Sequence, residues 1–395
     1  MKILLIDDVN FVDYPTGGIL GFDKVMVSAF KNELMLAGIS TGSNTDIGKW
    51  TKVKIGDQNF DYYAITNEKR RTKKPLVPRR IKLCHYFRKH IKRILQRKDY
   101  DLIVTQCPEV LFFVPDKELK KTCFISPGLG NPLDISRYKW ARPFGRIFDY
   151  FLVRKAKDVG YFLAAGDLNA RKDFERRAKG KILATSIIQF PTRYNDLFYK
   201  VMDKNSCRKK INISAEEKLF VTVGRLNWFK GWKLMIDAFS IVTKKVPSRL
   251  VFIGDGEDEM KIKDYVKTLG LEHCVDLVGR KEPQDVGIYL NAADAFIMGS
   301  FAEGWSTTLV EACACCVPCV VTDFSSAREM VKDGENGYVV EGREAEVFAS
   351  KMIDALSFDR ETVIDYNHRF QNLAESNLRD DFLHTINWNT DEQDS

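Results

Sequence analysis

The sequence predicts an α/β protein built from two doubly wound, Rossmann-like domains in tandem, and three observations carry that expectation. The chain has 395 residues, and at about 150 residues per domain that length suggests two domains. Short apolar runs alternate with helical stretches, the pattern of parallel sheets covered on both faces. The pattern then repeats after a polar, basic stretch at residues 203–213, which reads as a linker. Two such domains are expected to face each other across a cleft, with ligands at the carboxyl ends of the strands.

Composition narrows the class. An apolar fraction of 45% excludes global disorder. No apolar run approaches the ~18 residues that would span a bilayer. The opening, Met1 to Asp8, meets charge after four apolar residues and reads as a buried strand, not a signal peptide. Nine cysteines at irregular spacing, without an export signal, point to a reducing compartment, with cytoplasm the default.

In the first half, residues 3–6, 101–105, 121–125 and 159–164 read as strands, 181–190 as a further apolar run, and 22–36 and 144–157 as helices. In the second, strands are expected at 219–223, 250–253, 275–278, 295–298, 318–322 and 338–340. Helices are expected between them at 231–245, 259–269, 283–291, 307–315 and 326–331. The expected domains are 1–203 and 204–369. A terminal helix is expected within 370–395, anchored by Phe382 and Trp388.

The charge is unevenly spread. Fourteen Lys/Arg and no Asp/Glu lie between Lys69 and Lys98, so the net +7 leaves the remainder of the chain at −7. From Pro78 onward Ile81, Cys84, Phe87, Ile91, Ile94 and Leu95 recur at helical spacing, which predicts a helix with one buried stripe and a cationic face. That face is either an ordinary solvated surface or an attractor for an anionic membrane or a pyrophosphate. Nucleic acid ranks last, since only Tyr86 and Phe87 interleave the charges and no nucleic-acid module is recognisable.

Two segments carry candidate chemistry. In the first, a strand ends at Gly224 and is followed by Arg225 and Lys230 before Gly231. At a strand's carboxyl end both cations could grip an anion without a metal, or they could be two solvated charges. In the second, Glu303-Gly304 precede Ser306-Thr307-Thr308, with Glu311 on the helix that follows. Ser306 or Thr307 suits an N-cap, and the amides behind it could hold a phosphate. Taken alone, this segment reads better as a capped helix with two surface glutamates.

Order and spacing together resemble glycosyltransferase family 4, the retaining nucleotide-sugar transferases of GT-B fold. The matching elements are Gly224-Arg225-Leu226 with Lys230-Gly231, Phe252 to Gly256, Val278-Gly279-Arg280, and the Glu303/Glu311 pair of a Glu-x7-Glu motif. Pro318 to Asp323 and Glu329 to Gly337 complete the series. Gly17-Gly18 after the first strand matches the family's glycine-rich loop more loosely. The resemblance implies that Arg225 and Lys230 neutralise the donor diphosphate and that Glu303 contacts the transferred sugar. Glu311 would hold the ribose. Gly17, Gly18, Gly224, Gly304, Ser306, Thr307, Thr308 and Arg280 would complete the donor site. The resemblance also implies that the terminal helix within 370–395 packs back on the first domain. No metal or cofactor is implied beyond the nucleotide diphosphosugar itself, because two cations and helix amides can carry the growing charge.

The implied reaction is sugar transfer with retained configuration to an acceptor hydroxyl, in cell-surface polysaccharide assembly such as O-antigen or capsule. The acceptor would be a lipid-linked saccharide, and the protein cytoplasmic and peripheral on the inner membrane face. A non-catalytic nucleotide-sugar or lipid-binding protein of the same fold is the alternative. A dinucleotide-dependent oxidoreductase ranks below both, since no Gly-x-Gly-x-x-Gly opens a helix after the first strand. Two departures from the family pattern stand out. Cys316 occupies the place of a helix-ending glycine, and the loop from Ser126 to Gly130 lacks the histidine many relatives carry. Cys313, Cys315, Cys316 and Cys319 straddle a helix end and read as core, not as a metal site. The five histidines are expected at the surface.

Overall fold

The computed structural model describes residues 1–14, 18–42, 46–68, 77–126, 128–134 and 138–387. The chain divides into two compact units, Met1–Pro191 with Leu378–Ser395, and Thr192–Asn377.

The first unit is built on an eight-stranded sheet. Its strands are β1 (Ile3–Ile6), β2 (Leu34–Ser40), β3 (Trp50–Ile55), β4 (Gln58–Asn67), β5 (Leu102–Thr105), β6 (Thr122–Ser126), β7 (Tyr161–Ala164) and β8 (Ile188–Gln189). They lie in the order β3-β4-β2-β1-β5-β6-β7-β8, all parallel except β3 against β4. Two expectations need correcting here. The helix expected over 22–36 is Gly18–Phe30; Lys31 takes a left-handed φ of +46°, and the chain then runs into β2, every residue of which is buried between β1 and β4. Central burial on both faces overrides the helical spacing of these residues. The β3–β4 hairpin, turning at Gly56 with φ +60°, adds two strands beyond those expected; Lys52-Val53-Lys54-Ile55 alternates polar and apolar residues as a half-exposed edge strand does.

The cationic helix is Arg79–Ile94, but its buried stripe is Leu83, Phe87, His90, Ile91 and Ile94. Ile81 is exposed, and His90 is a core residue sharing a 3.0 Å hydrogen bond with the Tyr63 hydroxyl, not a surface histidine. Several of the cations turn inward: Arg79 pairs with Asp8 at 3.1 Å, Arg80 with Glu109 at 2.5 Å, and Arg97 with Asp61 at 2.9 Å. Arg88, Lys89, Lys92 and Arg93 stay exposed; Lys69 to Lys74 lie outside the described residues. The closing helix Leu378–Thr385 belongs to this unit. Phe382 is fully buried, 5.6 Å from the Phe30 ring and 5.9 Å from Phe190; Trp388 lies outside the described residues.

The second unit carries six parallel strands, β9 (Lys218–Val223), β10 (Ser248–Ile253), β11 (Val275–Leu277), β12 (Ala295–Met298), β13 (Cys319–Thr322) and β14 (Gly337–Val340). Their order, β11-β10-β9-β12-β13-β14, is the Rossmann order with the switch between β9 and β12. The stretch expected to be a linker is a helix of this unit, Lys204–Lys210, N-capped by Asp203. Its Arg208 is buried and pairs with Asp294 at 2.5 Å, while Asp294 also accepts from the Leu219 amide and Lys204. Residues before it belong here too: Tyr194 pairs with the backbone of Leu373 and Glu375, so the unit begins at Thr192 and ends at Asn377. Cys313, Cys315 and Cys319 pack in its core, and Cys316 adopts a left-handed φ of +53°, a conformation costing about 1 kcal/mol for a residue with a Cβ.

Candidate functional site

In the second unit, β9 and β12 diverge at their carboxyl ends, and the candidate donor residues sit on the loops that follow. After β9 the chain turns at Gly224, then at Asn227, whose side chain accepts from the Lys230 amide at 3.2 Å. Gly231 closes the turn with φ +69°, and a Cβ there would lie 1.7 Å from the Gly299 carbonyl oxygen, so only glycine lets the two loops meet. That approach brings Lys230 to the loop after β12. Its ammonium lies 2.5 Å from Glu303 Oε1, which also accepts from the Ser300 hydroxyl at 2.7 Å. Gly224, Arg225 and Lys230 line one small cavity with Ser300 and Met298.

Arg225 is placed differently from Lys230. Its guanidinium is largely exposed and pairs with Glu257 at 3.0 Å, a partner on the loop after β10 that sequence reasoning missed. Ser306 N-caps the helix Thr307–Ala314, its hydroxyl accepting from the Leu309 amide at 3.4 Å and lying 3.3 Å from the Thr308 hydroxyl. It approaches the cavity only through Met298, whose sulfur is 3.7 Å from its oxygen. Thr307 and Gly304 are exposed at the head of this helix. Arg280 is exposed after Gly279, whose carbonyl accepts from the Gly254 amide at 2.9 Å. Gly18 opens the first helix of the other unit, and Gly17 lies outside the described residues.

Glu311 stands in the second turn of its helix, facing the Tyr199 hydroxyl. Burial pushes its carboxyl up to about 8, and Glu375 nearby adds to the rise while the Tyr199 bond opposes it. Tyr199 carried no motif; its role follows from the segment before residue 203 belonging to this unit. Arg343 was missed as well: it donates to the Gly299 carbonyl at 2.8 Å and lies 3.6 Å over the Phe301 ring, bracing the loop that carries Glu303. Trp228, Phe229 and Phe301 form an exposed aromatic group beside that loop, with Trp228 5.3 Å from Phe301.

The first unit has its own cavity, about 280 Å³, at the carboxyl ends of β1, β5 and β6. Asp8, Arg79, Arg80, Gln106, Glu109 and Ser126 supply its polar lining, and Phe148 and Leu152 part of its apolar lining. Asp8 is buried with Oδ1 lacking a hydrogen-bond partner, and burial raises its carboxyl to about 6 against the pull of Arg79. Behind it, Asp7 accepts from the Gln106 amide at 2.8 Å and faces Asp23; burial drives both carboxyls far above their ordinary range. The doublet Asp7-Asp8 at the end of a buried strand is the sequence signal for this cavity.

Comparison with known proteins places these sites in context. The family model described as glycosyl transferases group 1 matches residues 203–375, which lie entirely within the second unit. The chain is 28% identical over 158 residues to an N-acetyl-alpha-D-glucosaminyl L-malate synthase of Bacillus anthracis, covering 40% of this chain and 41% of that protein. It is 32% identical over 150 residues to an N-acetylgalactosamine-N,N'-diacetylbacillosaminyl-diphospho-undecaprenol 4-alpha-N-acetylgalactosaminyltransferase of Campylobacter jejuni, covering 37% and 40%. The chain thus spans about two fifths of the length of the curated relatives it matches. Among solved structures, HepE of Anabaena, in complex with UDP, superposes with a TM-score of 0.72 at 18% identity over 98% of this chain and 100% of that one. The fold is that of the GT-B glycosyltransferases.

Proposed function

We propose that this chain, whose residues 203–375 carry a glycosyltransferase group 1 domain, transfers a sugar from a nucleotide diphosphosugar to an acceptor hydroxyl with retention of configuration and without a metal. The observation that carries the reading is the meeting of Lys230 with Glu303 and Ser300 beside Gly224 and Arg225, at the strand ends of one unit. A diphosphate is a stronger partner for Lys230 than one carboxylate. On donor binding the ammonium would turn to the phosphates and free Glu303 to accept from sugar hydroxyls. Arg225, held only by exposed Glu257, would supply the second cation, and the amides of Thr307 and Thr308 at the capped helix head would add partial positive charge. These groups act on charge that develops as the sugar–oxygen bond breaks, which is where they lower the barrier.

Glu311, protonated over much of the neutral range, would meet the ribose hydroxyls as both donor and acceptor. The acceptor reading rests on the first unit. Asp8, buried and short of one partner, suits a sugar hydroxyl, and a cavity of about 280 Å³ suits one saccharide unit. A lipid-linked saccharide, and with it a role in cell-surface polysaccharide assembly, is supported by the diphospho-undecaprenol named for the Campylobacter jejuni relative.

The test is donor turnover by the full chain in EDTA with a panel of UDP- and GDP-sugars. Transfer or slow donor hydrolysis with the same anomer in product and donor is expected, and Lys230→Ala should lower it by about a hundredfold or more. Stabilisation by a nucleotide sugar with no turnover on any acceptor would point instead to a binding protein of this fold.

A further inference from the structure

We propose that the exposed face of the helix Gly145–Ala156, with the turn Lys139–Phe144 before it and the basic groove beside it, docks the protein on an anionic phospholipid bilayer. The inference goes beyond the transferase reading and rests on none of its residues. The helix is apolar on two sides. Phe148, Leu152 and Val153 face the core. On the outside Trp140, Phe144, Ile147, Tyr150 and Phe151 are exposed at 56%, 50%, 54%, 58% and 47%. Ile147 and Phe151 fall on one face of the helix at i, i+4 spacing, and Trp140 and Phe144 stand on the turn that leads into it, their rings 6.5 Å apart. Large side chains scattered singly need no partner, but three on one helix and two on the turn before it form a patch that does.

The charge beside that patch says what covers it. A groove of about 1000 Å³ runs along the same helix, sharing Arg146, Tyr150 and Arg154 with it and closed on its far side by Arg176, Lys179 and Lys181. The carboxylate lining the groove, Asp149, is already taken by Arg177. Aromatic rings at the level of a bilayer's headgroups, flanked by arginine and lysine reaching phosphates, are the composition of an interfacial helix. A protein partner matched to this surface would need an acidic rim around an apolar centre; an anionic bilayer supplies both without shape matching.

This moves the expected membrane contact away from the segment between Lys69 and Lys98. The described part of that segment offers exposed Arg88, Lys89, Lys92 and Arg93, but among its large apolar side chains only Val77 and Ile81 are exposed. It has charge to attract with and little to insert.

The experiment is co-sedimentation of the full chain with vesicles of phosphatidylcholine alone or with one third phosphatidylglycerol, across a salt series. Binding is expected only to the anionic vesicles. Trp140→Ser with Phe144→Ser should weaken it about tenfold or more at every salt concentration. Arg146→Glu with Arg154→Glu should weaken it similarly at low salt and flatten the salt dependence. Lys89→Glu with Lys92→Glu should leave it within about threefold. All six positions are exposed, and unchanged melting curves would certify the folds. As a second readout, brominated lipid should quench tryptophan emission in the wild type and markedly less in Trp140→Phe. Vesicle binding unchanged in either of the first two double variants overturns the proposal. So does sedimentation as a dimer that the Trp140/Phe144 variant dissociates, which would make the face a contact between two copies of the chain.

Discussion

The two units repeat one architecture and treat charge at the strand ends in opposite ways. In the second, the carboxylates on the loops around the cavity are matched by cations, Glu303 by Lys230 and Glu257 by Arg225, while Glu311 on the helix that follows is buried and faces the Tyr199 hydroxyl. In the first, Asp7 and Asp23 are fully buried against each other, and Asp8 has one oxygen without a partner despite Arg79. Paired carboxylates leave a site with cations ready to exchange partners, which suits an incoming anion. Buried, proton-holding carboxyls suit neutral hydroxyls, to which they can donate or accept. A doubly wound fold fixes where ligands bind, while the side chains at the strand ends decide their charge.

The largest effect on stability is expected where the second unit's loops touch. Gly231→Ala would force a Cβ to within 1.7 Å of a backbone oxygen at a left-handed φ, so denaturant melts should show a loss of about 3 kcal/mol or more. A loss under 1 kcal/mol would mean that the loops do not meet there. Next comes the pairing itself. Lys230→Ala leaves Glu303 partly buried without its cation and should destabilise by roughly 1–2 kcal/mol, with Lys230→Ala/Glu303→Gln recovering part of that in a double-mutant cycle.

The first unit sharpens the contrast through pH. Asp7 and Asp23 have folded-state affinities for protons above those of the unfolded chain, so their contribution is fully present below about pH 4 and is lost as pH rises through the folded values. Wild type should therefore lose stability from about pH 4 toward pH 8. Asp23→Asn, which mimics the protonated acid, should flatten that decline measurably. An equally steep decline in the variant would show that the pair is not the cause. The smallest effect is a control on the solvent face of the helix that carries Asp23. Gly21, exposed within the helix Gly18–Phe30 and with open space around it, should gain about 0.5–1 kcal/mol on substitution by Ala.

Legibility in the sequence follows the same division. Strands β9 to β14 and the helices between them were readable within a few residues, because each buried run is bounded by a glycine, a proline or an N-cap such as Ser306. The first unit was harder: β2 carries helical spacing yet is a central strand, and β3 and β4 are a hairpin in which a mostly exposed strand alternates lysine with apolar residues beside a mostly buried one. Local pattern cannot say which apolar run will be covered on both faces. At the site, Arg225, Lys230, Glu303, Ser306 and Glu311 were nameable from spacing. Ser300 lies three residues before its partner Glu303, but Glu257, Tyr199 and Arg343 come from distant segments and reach the site only through the fold. Arg79 and Arg80 teach the converse: read as part of a charge run, they serve Asp8 and Glu109 at a cavity.

The central claim is that the Lys230 ammonium in the second unit exchanges its carboxylate for a nucleotide diphosphate. Calorimetric titration of the full chain with UDP and with GDP, in EDTA and at fixed salt, addresses it most directly. One nucleotide should bind to the wild type, and Lys230→Ala should weaken that binding about thirtyfold, near 2 kcal/mol for a charge-assisted contact, while Asp23→Asn leaves it unchanged. Equal affinity in wild type and Lys230→Ala would contradict the account.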